Sequence, residues 1–137
     1  MTRSAALTRS LTALVVVGAL TGHASAQDAS PPERPPGPPP TAAEAKAEQQ
    51  KNSAAKLAGL LAFVVASCPD VRPNTERFKA VVSGLGVAYD DLASGELRIR
   101  AQAYTEVYSK DIAANCARAT ENFGPKGRTI PDLIVKR

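Results

Sequence analysis

The chain has 137 residues, with 17 Lys and Arg against 13 Asp and Glu for a formal charge of +4, and 4% aromatic residues with no Trp. So few aromatics leave a β-sandwich or barrel poorly supplied, whereas the Ala-rich composition suits helices, and the length allows one small domain. The single histidine, His23, lies near the N-terminus. If that end is removed, no imidazole remains for a Ser-His-Asp triad, for histidine acid–base work or for most zinc sites.

Residues 1–26 read as a signal peptide. Arg3 and Arg9 give a positive start, Leu11 to Leu20 is an apolar run, and Ala24-Ser25-Ala26 is a small-x-small cleavage site. The apolar run is about half the length needed to cross a bilayer, so no stable membrane anchor is expected after cleavage. The arginines are not paired as in a twin-arginine signal, and no cysteine follows for lipid attachment. Export through the general secretory route to the periplasm, or secretion, is the expectation. Cleavage before Gln27 removes two basic residues and no acidic one, so the formal charge falls from +4 to +2. A charge this small offers no dense cationic stripe for nucleic acid. A local excess remains at the C-terminus, where Lys126, Arg128, Lys136 and Arg137 face only Asp132.

Residues 27–41 are expected to be a proline-rich disordered linker. Residues 31–40, PPERPPGPPP, hold seven of the eleven prolines, which fix φ, remove amide donors and extend the chain as polyproline II. Residues 42–137 then form an α-helical domain, compact over about 55–135. Thr41 with Glu44 three residues on makes a capping box. The segment Ala42 to Gln50 is polar and helix-favouring with no face to bury, so it is expected to project into solvent or fray. From Lys56, the residues Leu57, Leu60, Leu61, Val64 and Cys68 repeat at i, i+3, i+4, i+7 and i+11, which marks a buried face. Phe63 and Val65 widen that face, making this the central helix, and Pro69 ends it.

Asn74 caps a second helix to about Leu85, with Phe78, Val81, Val82 and Leu85 on one side and Gly84 and Gly86 at its end. Val87 to Ser94 reads as a loop or a short helical turn. A third helix from Gly95 to Ser109 carries Leu97, Ala101, Tyr104 and Tyr108 together. Asp111 caps a fourth, with Ile112, Cys116, Ala119 and Phe123 on one face and Gly124-Pro125 as the stop. In the turn-rich tail, Ile130, Leu133, Ile134 and Val135 are expected to fold back. The fold class is therefore all-α, a small bundle of about four helices.

Cys68 and Cys116 are the only cysteines, each on an apolar helical face, and an exported chain lets them pair as a structural disulfide. Closing so long a loop stabilises by roughly 4 kcal/mol in the chain-entropy account. Their separation is unlike the C-x-x-C of a redox pair, and a thiol nucleophile would lack a histidine base.

Other constellations assign little. Asp90, Asp91, Ser94, Gly95 and Glu96 evoke a calcium loop, but Leu92 and Ala101 fall where oxygen ligands belong. Gly84-Leu85-Gly86 follows a helix and lacks the third glycine of a phosphate-binding turn. Tyr104 and Tyr108, four apart, read as packing residues with a binding face as the alternative. No catalytic or metal-ligating residue and no cofactor is assigned.

Through LAGLLAFVVASC, LRIRAQAYTEVY and ANCARATENFGPKG, from Leu57 to Gly124, the chain resembles the small two-cysteine exported helical proteins of Gram-negative bacteria that have no assigned function. In SCPD and NCARATENF it is also similar to the Hde-type periplasmic acid-stress chaperones, small helical proteins with one long-range disulfide. The expected function is a non-enzymatic binding or structural protein of the cell envelope, its partner an envelope protein or cell-wall polymer. The alternatives are a stress chaperone that exposes Leu57, Leu60, Leu61 and Phe78 in acid, and a small hydrolase using carboxylates such as Asp90, Asp91 or Glu96.

Overall fold

The computed structural model describes residues 37–137. The expected signal peptide and most of the proline-rich run lie outside the described residues; Gly37 to Pro40 carry no regular structure and are exposed.

Four helices follow: α1 (Ala42–Ser67), α2 (Thr75–Gly84), α3 (Gly95–Ser109) and α4 (Ile112–Phe123). A 3₁₀ turn, Tyr89–Ala93, connects α2 to α3. Each helix except α3 starts on a side-chain cap that its sequence supplies. The Thr41 amide and hydroxyl both donate to Glu44 Oε2, at 2.7 and 2.8 Å, while the Glu44 amide donates to the Thr41 hydroxyl at 3.3 Å. This satisfies free donors of the first turn reciprocally, as a capping box should. Asn74 Oδ1 accepts from the Arg77 amide, and Asp111 Oδ1 from the Ala114 amide. The fold is a small all-α bundle, as composition and periodicity imply.

α1 is the axis of this bundle. Its C-terminal half buries Leu60, Leu61, Phe63 and Val64, joined by Phe78 and Val82 of α2, Leu92 of the 3₁₀ turn and Ala119 of α4. The polar stretch does not end at Gln50: Ala54 and Ala55, small and helix-favouring, are completely buried, so the packed region begins just before residue 55. Ala42 to Gln49 are exposed, as their lack of an apolar face requires. Val65 departs from expectation. It is 59% exposed, on the wall of an open groove between α1 and the α2–3₁₀ region. The buried face is therefore narrower than the run of apolar letters indicates.

α3 lies along α1, and their contacts advance in the same order on both helices. Arg100 pairs with Glu48, Thr105 Oγ1 donates to the Gly59 carbonyl at 3.1 Å, and the Tyr108 and Phe63 rings sit 5.9 Å apart. Gly59 makes this approach possible. A Cβ there would lie 2.4 Å from the Ala101 carbonyl oxygen and 2.7 Å from the Tyr104 Cβ.

The tail forms the one feature outside an all-helical plan. β1 (Val71–Pro73) and β2 (Ile134–Lys136) pair antiparallel, Val71 opposite Lys136, Arg72 opposite Val135 and Pro73 opposite Ile134. Leu133 and Ile134 are fully buried, so the tail does fold back, but as a strand and not as loose turns. Three residues per strand are too few to write an alternating pattern into the sequence. The Asn74 amide, donating to the Leu133 carbonyl at 2.9 Å, ties the tail to the α2 cap.

Candidate binding cleft

Cys68, the residue that caps the C-terminus of α1, is bonded to Cys116 of α4, with their Cα atoms 5.7 Å apart. This is the expected pair. It links the end of the central helix to α4 and helps fix the position of α4 beside α1. A disulfide is compatible with an oxidising, exported compartment.

Beyond the bridge, a cleft of about 290 Å³ opens where all four helices and the tail meet. Leu57 and Leu60 of α1, Val81 of α2 with Leu85 just after it, Phe123 of α4 and Ile130 of the tail supply an apolar floor. A second cavity of about 440 Å³ shares Lys56, Leu60, Tyr108, Phe123 and Thr129 with it and continues along α4 past Arg118 and Asn122. The two therefore form one elongated depression. Its charged lining has a single sign, because Lys56 and Arg118 border it and no carboxylate does. Neither cation is engaged in an ion pair among the described residues. Tyr108 stands in the wall, and its phenol is shifted up from the ordinary value, first by burial and second by the neighbouring Tyr104. It stays a neutral hydroxyl at physiological pH. An apolar trough with a few polar groups at its edge is the usual build of a ligand site.

A second groove of about 300 Å³ lies between α1 and the α2–3₁₀ region, where Ala58, Leu61 and Val65 face Phe78, Tyr89 and Leu92. The Phe78 and Tyr89 rings meet edge to face at 5.9 Å, and Lys79 Nζ stands 5.6 Å from the Tyr89 ring centroid. This groove is mainly apolar, with Thr75 and the Tyr89 phenol as its polar lining and no charged residue lining it.

The residues weighed from the sequence take the following places. Leu57 and Leu60 line the cleft, while Leu61 and Phe78 line the groove. Tyr104 and Tyr108 are packing residues on α1: the Tyr104 hydroxyl donates to Asn52 Oδ1 at 3.1 Å, and Tyr108 packs on Phe63. Asp90 and Asp91 are exposed on the 3₁₀ turn. Glu96 is held by Arg100, which also holds Glu48. The Arg100 guanidinium is correspondingly stabilised in its charged form by hydrogen bonds to Glu96 and then Glu48. Glu48 and Glu96 thus share one ion-pair network through Arg100. No group of three or more His, Cys, Asp or Glu able to hold a metal occurs among the described residues. Of the four C-terminal cations, Arg128 pairs with Glu121, and Arg137 Nε donates to the Val71 carbonyl at 3.0 Å. That tail is thus partly tied down, not a free cationic end.

Sequence reading did not reach Lys56, Arg118 or the cleft itself. Lys56 marks only where the apolar repeat begins, and Arg118 is one cation on a helix. Their convergence depends on how α4 lies beside α1, which the disulfide hints at but does not specify. No helix among the described residues is long and apolar enough to cross a membrane. No family model matches the chain, and neither does any curated protein or solved structure.

Proposed function

We propose that this is a non-enzymatic binding protein of the cell envelope, exported by the general secretory route to the periplasm, like the small two-cysteine exported proteins it resembles. Its cleft between α1, α2, α4 and the tail holds an apolar, carboxylate-bearing segment of a partner envelope protein. The observation that carries this reading is the cleft's chemistry: an apolar floor beside Lys56 and Arg118, with no acidic residue on its walls. Apolar side chains would bury against Leu57, Leu60 and Phe123, and a carboxylate would meet the two cations. Charge complementarity of this kind contributes more to orientation and specificity than to raw affinity.

The chaperone alternative receives less support. It requires acid to loosen the core, and among the described residues no charged or polar one is buried there to be protonated. The hydrolase alternative has its carboxylates exposed or committed to Arg100.

The test is fluorescence anisotropy with a labelled peptide of alternating Leu and Phe ending in two Asp residues. Binding that weakens at least tenfold in the Lys56→Glu/Arg118→Glu variant supports the reading. Equal binding of the same peptide ending in two Lys residues, or unchanged binding by the variant, refutes it.

A further inference from the structure

The outer face of α3 has a symmetry that its inner face lacks. Leu97, Ala101, Tyr104, Thr105 and Tyr108 turn toward α1 and are partly buried. On the opposite side Ile99 is 66% and Val107 53% exposed, with Ala103, also exposed, midway between them. These three residues, four apart, form one ridge along the helix. No described element covers them.

The charges bordering the ridge are antisymmetric about Ala103. Glu96 lies seven residues before it and Lys110 seven after, both exposed on the same side of the helix; Glu96 pairs with Arg100 through Oε1, and its side chain stays 75% exposed, open to a second cation. Take a second copy of α3 running antiparallel, with the two-fold axis at Ala103. Each residue then lies level with the partner's residue equally far beyond Ala103. Ile99 comes beside Val107, and Glu96 beside Lys110, on both sides of the axis. A parallel arrangement in register sets Glu96 against Glu96 and Lys110 against Lys110. An isologous contact of this kind uses the same patch on both copies and closes on itself. Ala103, the smallest side chain on the ridge, stands where the two backbones come nearest, as close helix crossing requires. The mixed signs also make the face a poor match for an anionic membrane surface, which selects a uniformly cationic helix.

We propose that a second copy of this chain docks on the outer face of α3, forming an antiparallel two-fold dimer centred on Ala103. This inference is independent of the cleft, to which α3 contributes only Tyr108, from its inner face. Three turns of helix make a small contact, so the dimer is a reversible one that forms as concentration rises.

Sedimentation of the protein purified from its producing cells, from 5 µM to 1 mM, is the test. The expected result is a concentration-dependent dimer that weakens with added salt. Glu96→Lys and Lys110→Glu should each weaken association about tenfold, and the two together should restore it, with the thermal midpoint recorded for every variant. Oxidised Ala103→Cys should cross-link to itself, while Ser83→Cys on α2, also exposed, should not. A monomer over the whole range overturns the proposal. So does a dimer in which the charge exchange fails to rescue or Ala103→Cys fails to cross-link, because each places the contact elsewhere.

Discussion

Gly59→Ala is the sharpest probe of the helix pair at the centre of this fold. The methyl group would stand 2.4 Å from the Ala101 carbonyl oxygen, against a 3.0 Å limit that Cβ contacts essentially never breach, and 2.7 Å from the Tyr104 Cβ. The oxygen belongs to backbone and has no rotamer to escape into, so α3 must move away from α1 by more than half an ångström. That movement lengthens the hydrogen bond from Thr105 Oγ1 to the Gly59 carbonyl and opens the Phe63–Tyr108 ring contact. Overpacking of this kind costs about 1–3 kcal/mol. Alanine offsets about 1 kcal/mol through its better helix propensity. The net is a loss of up to about 2 kcal/mol, or up to roughly 16 °C in the melting midpoint of so small a domain, and the gap from a glycine-to-alanine exchange that meets no obstacle is the full cost of about 1–3 kcal/mol. Gly84→Ala is the matched control: the same exchange, at the end of α2, meets nothing within 4 Å. It should leave the midpoint unchanged or raise it. Thermal melts followed by circular dichroism decide the matter, with tyrosine fluorescence reporting the α1–α3 interface in a chain without Trp. If Gly59→Ala gains as much stability as Gly84→Ala, the close crossing of α1 and α3 is wrong.

Replacing both Cys68 and Cys116 by Ala should remove about 4 kcal/mol, and a reducing agent should lower the melting midpoint of the parent but not of that variant. An unchanged midpoint on reduction would mean that the bridge contributes nothing. Leu133→Ala, in the fully buried tail, should cost about 2–5 kcal/mol in urea unfolding, whereas Val65→Ser, at an exposed position of α1, should stay within about 0.5 kcal/mol. The carboxyl of Glu44 is held below its usual value, chiefly by the Thr41 amide and then by the Thr41 hydroxyl. A group with a depressed folded value stabilises fully above its unfolded value, about 4.3 for Glu, and this is lost as pH falls through the folded one. Helical signal from the first turns of α1 should therefore decline below about pH 4.3 in the parent. In Glu44→Gln it should already be reduced at pH 7 and show less of that decline; identical pH profiles would refute the cap.

Much of the fold was legible because its signals are local. Thr41, Asn74 and Asp111 are caps whose partners lie three residues on, and the α1 repeat from Leu57 to Cys68 and the bounds of α3 and α4 follow from periodicity and stop residues. The cysteine pairing was legible because there were only two candidates. What was not legible depends on distant partners. Val65 looks like core until one knows that it stands on an open groove beside α2. The strand pair joins residues some sixty positions apart through three residues each, a signal too short for any periodicity. Gly59 carried a warning, a lone glycine inside an apolar helical run, which commonly marks a packing constraint; its meaning needed the position of α3. The cleft draws on all four helices and the tail, so neither its apolar floor nor its two cations could be assembled from sequence spacing.

The sulfur link also determines how the chain would bear tension. A pull applied at the start of α1 and at Arg137 would travel down α1 to Cys68, cross to Cys116 and leave through α4 and the tail. Residues 69–115, which include α2 and α3, hang off that path as a closed covalent ring. They cannot add to the extension however far the domain unravels, so stretching a single molecule would release length only from the segments before Cys68 and after Cys116. With the bridge reduced, the hidden length would appear as well.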